Sequence, residues 1–345
     1  MLKIKLSIPG QLPNSKLDKF IGHSDNTLDN CKFYINMDVE NPDYWFVLEN
    51  TYKSEEVSFM DPSKVIYLNY ETSYPKDYFN NKYMKNYMSQ FSYKYGCYDD
   101  FSENYTVMPP FIPWMINSNQ GSSWFETNNI DLDYLKNFDE KDKKNMISII
   151  CSSKKITDDH RVRLLFTEKI AEHFGSNIDW FGDGIKRIEN KWDAISTYKY
   201  HIVLENESRN FLISEKLYDS YLGLAFPFYY GGNNLNTFFS KDTYKFIDVL
   251  DIKKSIDIIE KGITENLFEK NYESIKQSRN LVIEKYNIFS RISEIVNNHE
   301  KKTKLEMKEI VNIKSVNYFW NRDVNYKNKI KHILKRKLRI NVTNY

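Results

Sequence analysis

From residue 146 onward, short apolar runs alternate with amphipathic stretches along the chain. Met146-Ile-Ser-Ile-Ile-Cys151 reads as a buried strand. Arg161 to Phe174 sets Val162, Leu165, Phe166, Ile170 and His173 at mostly helical spacing, and Ile178-Asp-Trp-Phe181 reads as the next strand. Tyr200-His-Ile-Val-Leu204 continues as a strand, Ser214 to Leu222 as a helix, and Ala225-Phe-Pro-Phe-Tyr-Tyr230 as a strand closed by Gly231-Gly232. Strands joined through helices run parallel, so this half predicts βαβ units and an α/β fold with a parallel sheet. Residues 251–299 predict two or three long helices.

The first ~140 residues read differently, as short strands between long polar loops at 2–8, 33–37, 45–48 and 64–70, with weak helical periodicity. A chain of 345 residues is long for one domain, which predicts two. The expected division is an N-terminal domain over 1–140, a second domain over 141–300 and a basic helical extension, rich in Lys and Asn, over 301–345. The polar stretch 117–145, with Gly121 and Ser122-Ser123, is the expected interdomain segment.

Lys plus Arg exceeds Asp plus Glu by only two, so no basic field gathers nucleic acid, and partners have to be argued locally. Cys31, Cys97 and Cys151 fit no CxxC spacing and leave one thiol over in any pairing. The N-terminus alternates like a first strand and lacks the apolar stretch of a signal peptide, and no run approaches the roughly 18 apolar residues that span a bilayer. The expectation is a cytoplasmic protein, soluble or peripheral on the inner face of the membrane.

The segment richest in acid-base groups is Leu204-Glu-Asn-Glu-Ser-Arg-Asn-Phe-Leu-Ile-Ser-Glu-Lys216. It starts at the C-terminal end of a predicted strand and ends in the first turn of a helix. Ligands of open α/β sheets bind there, and backbone N–H groups attract phosphate. On residues alone, a ligand site and a surface strand-to-helix loop both remain open.

The segment resembles the donor-binding signature of the α1,3-fucosyltransferases, glycosyltransferase family 10. That signature runs Phe-Glu-Asn-Ser, three variable residues, Asp-Tyr-x-Thr-Glu-Lys, a helix, and an Ala-Gly-x-x-Pro-x-x-x-Gly strand. Glu205, Asn206, Glu215 and Lys216 match with the spacing kept, as do Gly223, Pro227 and Gly231. Trp192-Asp-Ala-Ile-Ser-Thr-Tyr-Lys-Tyr-His-Ile202, Arg161-Val-Arg-Leu-Leu-Phe166 and Phe181-Gly-Asp-Gly184 extend the likeness over roughly 146–250. Glu207 stands where the family has Ser, and Phe211-Leu212 where it has Asp-Tyr, which removes a hydroxyl that could contact the donor.

The resemblance implies a GT-B architecture, two Rossmann-like domains facing a central cleft, with the acceptor on the N-terminal domain and the nucleotide sugar on the C-terminal one. It implies inverting transfer of fucose from GDP-fucose to a hydroxyl of an acceptor glycan or glycolipid, such as an α1,3 linkage to GlcNAc in a lipopolysaccharide. No required metal or other cofactor is implied. Arg163 and Lys216 would neutralise the diphosphate, while Glu215 and Asn206 would hold sugar or ribose hydroxyls, with Glu205 alongside in the donor site. Glu71, at a strand end in Val65-Ile-Tyr-Leu-Asn-Tyr-Glu-Thr-Ser-Tyr-Pro75, matches a family Glu in similar position and would be the general base. A solvated strand-end Glu is its other reading. Met108-Pro-Pro-Phe-Ile-Pro-Trp114 also looks family-like, as cleft floor or as core.

Asp131-Leu-Asp133 looks like a Mn²⁺-binding DxD but sits in a helix start, and His160 beside Asp158-Asp159 reads as loop. From Arg322 to Arg339, nine basic residues counting His332 alternate with Ile330, Ile333, Leu334 and Leu338. That pattern predicts a basic amphipathic helix for an anionic membrane surface, or one packed on the body. The rival functions are a transferase of the same fold using another nucleotide sugar and a non-catalytic glycan-binding protein.

Overall fold

Leu2–Ser7 (β1) sends Ile4 and Leu6 to one face and Lys5 and Ser7 to the other, and all four are buried. A strand covered on both faces belongs in the interior of a sheet. The computed structural model describes residues 1–11, 17–74, 78–98, 104–117, 130–301 and 307–321. Its remaining N-terminal strands are Thr27–Leu28 (β2), Cys31–Ile35 (β3), Tyr44–Leu48 (β4), Glu55–Met60 (β5), Val65–Leu68 (β6), Tyr93–Gly96 (β7) and Tyr105–Val107 (β8). Among the described residues, a seven-stranded sheet runs in the order β2-β3-β1-β4-β6-β7-β8, parallel throughout except for the β2–β3 pair. Among the described residues, the connections carry two short helices, Asp18–Ile21 (α1) and Lys82–Met88 (α2). A helix of one or two turns shows little 3.6-residue periodicity, which is why this half read as strands and loops.

After Leu132–Asn137 (α3), the second half alternates as its sequence predicts. Asn145–Ile150 (β9), Asp158–Phe174 (α4), Ile178–Phe181 (β10), Lys191–Ile195 (α5), Tyr198–Leu204 (β11), Glu215–Leu222 (α6), Phe226–Tyr230 (β12) and Lys245–Phe246 (β13) follow one another. They form a five-stranded parallel sheet, β10-β9-β11-β12-β13. The reversal of strand order beside β9 and β11 opens the crevice in which α/β sheets bind ligands. Two parallel α/β sheets facing one cleft make this a GT-B architecture, as expected.

The helices Ile252–Thr264 (α7), Leu267–Lys270 (α8), Tyr272–Glu284 (α9) and Ile288–Glu300 (α10) end this half in sequence, but α10 packs on the first sheet. The Phe289 ring lies 5.2 Å from Phe33 and 5.5 Å from Phe20. At its C-terminal end Glu300 pairs with Lys64 at 3.1 Å and accepts from the Tyr44 hydroxyl at 2.8 Å. Removing a ring such as Phe289 costs about 3–5 kcal/mol, so the two halves are tied by this helix as well as by their linker.

The segment after residue 300, expected to be helical, corrects that expectation in part. Glu309–Lys314 (β14) pairs antiparallel with β5, because Val311 and Ile313 alternate with polar neighbours and bury on one side. The predicted basic helix over 322–339 and residues 118–129 of the interdomain segment lie outside the described residues. Among those described, no helix is long and apolar enough to cross a membrane. All three cysteines are buried and unbridged.

Candidate active site

The C-terminal ends of β9 and β11 and the N-terminal ends of α4 and α6 converge on a cavity of about 440 Å³. Arg163, Asn206, Glu215 and Lys216 all line it, with Lys154, His160, Lys191 and Asp219. Sequence reasoning therefore brings four of its five donor-site residues to one wall. Each is placed by local structure. Ser214 caps α6 through Lys216 N–H, which starts the helix so that Glu215 and Lys216 fall in its first turn. Thr157 caps α4 in a reciprocal pair with His160, and Arg163 follows one turn later.

Two lysines and three carboxylates interlock here. Lys216 Nζ lies 3.4 Å from Glu215 Oε1 and 3.4 Å from Glu205 Oε2, while Lys191 Nζ lies 2.8 Å from Asp219 Oδ2 and 3.5 Å from Glu215 Oε1. Burial alone would raise the Glu215 carboxyl, but Lys216 and Lys191 hold it down at about 2. Burial works against the charge on both lysines as well, yet their carboxylate neighbours raise both, so each stays cationic. The Arg163 guanidinium gives one hydrogen bond to Leu204 O at 3.3 Å, and its Nε is buried with no partner among the described residues. A buried unpaired guanidinium N–H is costly, and the cations that line the cavity suit an anion. The fixed donors and charges suit a diphosphate.

Glu205 is a correction. Expected to touch the donor, it is fully buried beneath the site, accepting from Ser214 N–H at 2.8 Å and Ser214 Oγ at 2.7 Å. Burial pushes its carboxyl upward against the pull of Lys216. It anchors the cap of α6 and the lysine behind the cavity.

Across the cleft, Glu71 is half-buried, and its Oε1 accepts the N–H groups of Thr72 and Ser73, both at 2.8 Å. Among the described residues nothing bonds its Oε2. Glu71 itself lines neither cavity, but its neighbours reach the donor side. Burial raises the Tyr70 phenol, and Glu215 adds to that shift, which sets this strand end within electrostatic range of α6. Ser73 and Tyr74 line a second cavity of about 310 Å³ with Thr157, Asp159 and Glu207. His160, Arg163 and Asn206 border both cavities, so the two adjoin.

Asn206 and Arg209 hold the halves together at this point. Asn206 Nδ2 donates to Ser73 Oγ. Arg209 donates to Thr72 O at 3.1 Å and Cys97 O at 3.2 Å, and its guanidinium stacks 3.9 Å over the Tyr98 ring. Arg209, Lys191, Lys154 and Asp219 were not singled out from the sequence. Lys191 directly precedes the family-like Trp192–Ile202 lead-in, and that adjacency was the available signal.

The remaining sequence candidates take other roles. His160 is not loop but the third residue of α4, and burial, with Arg163 and Lys154, lowers its pKa. Asp131 caps α3 by accepting Tyr134 N–H at 2.7 Å. Phe111 and Trp114 are core, and Arg291 stacks 3.7 Å over Phe111, so 108–114 is a packed connector. It still serves the site, because Met115 N–H holds Asp219 at 2.8 Å. Among the described residues, no cluster of His, Cys, Asp and Glu could hold a metal ion.

The fold is a GT-B architecture with a cation-lined cavity at the switch point of its second sheet. Within that class, residues 140–272 match the family model for glycosyltransferase family 10 (fucosyltransferase), C-terminal part. The resemblance carried by the 204–216 signature is thus borne out for this domain. Similar solved structures include an α1,3-fucosyltransferase, 16% identical over 79% of this chain and 80% of that one, with a TM-score of 0.48. An α1,3-fucosyltransferase with GDP is 16% identical over 84% of this chain and 92% of that one (TM-score 0.45). One with GDP-fucose is 17% identical over 79% and 81% (TM-score 0.44). Comparison with curated proteins gives no match.

Proposed function

We propose that the protein moves fucose from GDP-fucose to a hydroxyl of an acceptor glycan with inversion at the anomeric carbon. The observation that carries this reading is the cavity lined by Arg163, Lys191 and Lys216 at the switch point of the second sheet. The diphosphate binds there, and Glu215 and Asn206 orient the hydroxyls of sugar or ribose. Glu71 Oε2 takes the proton of the acceptor hydroxyl as that oxygen bonds to the anomeric carbon. The bond from that carbon to the diphosphate oxygen breaks on the opposite face, and GDP leaves with its new charge against the cations. Glu205 acts through Lys216. The α1,3 linkage, a GlcNAc-terminated acceptor in a lipopolysaccharide or related glycolipid, and attachment of 322–339 to an anionic membrane rest on the sequence reading alone.

Leu212 favours a second reading with another nucleotide sugar. Its side chain is buried and offers no hydroxyl where the family signature carries Tyr. One experiment separates the two. Purified protein is incubated with a panel of GDP- and UDP-sugars and GlcNAc-, Glc- and Gal-terminated acceptors, and products are read by mass. A deoxyhexose added from GDP-fucose supports the proposal; turnover of a different donor with none from GDP-fucose transfers it to the second reading.

A further inference from the structure

Glu49 follows β4 in the left-handed region, at φ 65, a conformation few residues other than glycine adopt. The chain is held there from both sides, since Glu49 N–H bonds Leu68 O at 2.9 Å and Glu49 O accepts the Tyr87 hydroxyl at 3.1 Å. The side chain thereby reaches the end of β6, where five donors meet it. Oε1 takes the hydroxyls of Tyr67 at 2.8 Å and Tyr74 at 2.7 Å. Oε2 takes the backbone N–H of Tyr70 at 2.7 Å, that of Glu71 at 3.0 Å, and Asn69 Nδ2 at 3.3 Å. Every one of these donors lies between residues 67 and 74, on the strand end that carries Glu71.

We propose that Glu49 is a positioning residue that fixes the Glu71 loop against the donor site, a role that rests on the assignment of Glu71 as base. The chain of contacts runs from Glu49 to the Glu71 amide, from the Glu71 carboxylate to the amides of Thr72 and Ser73, and from Ser73 to Asn206. A single carboxylate thus sets the height and turn of the loop on one side, and the donor-binding segment meets it on the other. Preorganisation of this kind acts on turnover, because misplacing a base by an ångström leaves ground-state donor binding intact.

The two oxygens differ in what can replace them. Tyrosine hydroxyls can turn to accept, but backbone amides cannot. Glu49→Gln, with its carbonyl toward Tyr70 and Glu71 and its NH₂ toward the phenols, is therefore the rescuing variant, and Glu49→Met, of similar volume, accepts nothing. We expect Glu49→Met to lower kcat about tenfold or more with the donor Kd changed less than about twofold, and Glu49→Gln to recover most of the loss. Wild-type kcat in Glu49→Met, or donor affinity falling in step with kcat, overturns the role. Amide exchange in the unmodified protein needs neither a variant nor activity: the Tyr70 and Glu71 amides should be protected although an open loop follows them, and rapid exchange at both overturns the proposal. Protection without turnover of any nucleotide sugar would leave the role of Glu49 in holding the loop standing and sink the assignment of function instead.

Discussion

The two walls of the cleft hold their charges by opposite means. On the second sheet, Lys191 and Lys216 interlock with Glu205, Glu215 and Asp219. On the first sheet, the carboxylates of Glu49 and Glu71 are met by hydroxyls and amides, with no cation within ion-pair distance among the described residues. Neutral donors orient a carboxylate without cancelling its charge, so one wall keeps a group able to take a proton. The interlocked wall fixes cations in place before any ligand arrives, which suits a leaving group that gains charge.

The strongest way to break this contrast is at the base. Glu71→Gln should lower turnover by roughly a hundredfold or more, the usual worth of a positioned proton acceptor, and leave GDP binding unchanged by calorimetry. If GDP binding falls as well, the two walls are not independent. Next in size is Lys216→Ala, which removes charge-assisted bonds worth about 1.5–3 kcal/mol and strands the buried Glu205. Donor Kd should rise about ten- to a hundredfold, together with a loss of thermal stability. Lys216→Arg should restore the stability more fully than the affinity. Arg209→Ala tests the seam: losing its bonds to Thr72 O and Cys97 O should cost turnover about three- to tenfold with GDP affinity nearly intact, in line with removal of one or two such contacts. An equal loss of GDP affinity would make Arg209 part of the donor wall.

The last prediction concerns pH. His201, fully enclosed in β11 and bonded to Ser148 Oγ at 2.7 Å, is pushed down to about 3, first by burial and then by Lys191 and Lys143. The unfolded chain binds this proton below its ordinary value of 6.5 and the folded one does not. Its contribution is whole above 6.5 and is lost as pH falls toward 3, at up to about 1.4 kcal/mol per pH unit. The urea midpoint should therefore decline over that window, and His201→Gln should decline less steeply.

What the sequence made legible follows the length of its elements. In the second half, α4 is long enough to show its period, and the signature residues sit within one strand-to-helix turn, so contiguous chain carried the site. In the first half, the helices between strands run from four to seven residues, too short to announce a doubly wound sheet. Glu49 stayed hidden because its partners begin 18 residues downstream and share no spacing with it. Strand β14 was read as part of a helical tail because lysine and asparagine around it masked Val311 and Ile313. Glu205 was matched by spacing, which locates a residue along the chain and says nothing about which side of the wall it occupies.

The central claim is that Arg163, Lys191 and Lys216 receive the diphosphate of the donor, and calorimetric titration with GDP tests it most directly. The account predicts saturable binding that weakens at least about tenfold in Arg163→Ala, the loss of one charge-assisted contact. No heat of binding at millimolar GDP, or equal affinity in the variant, would contradict it.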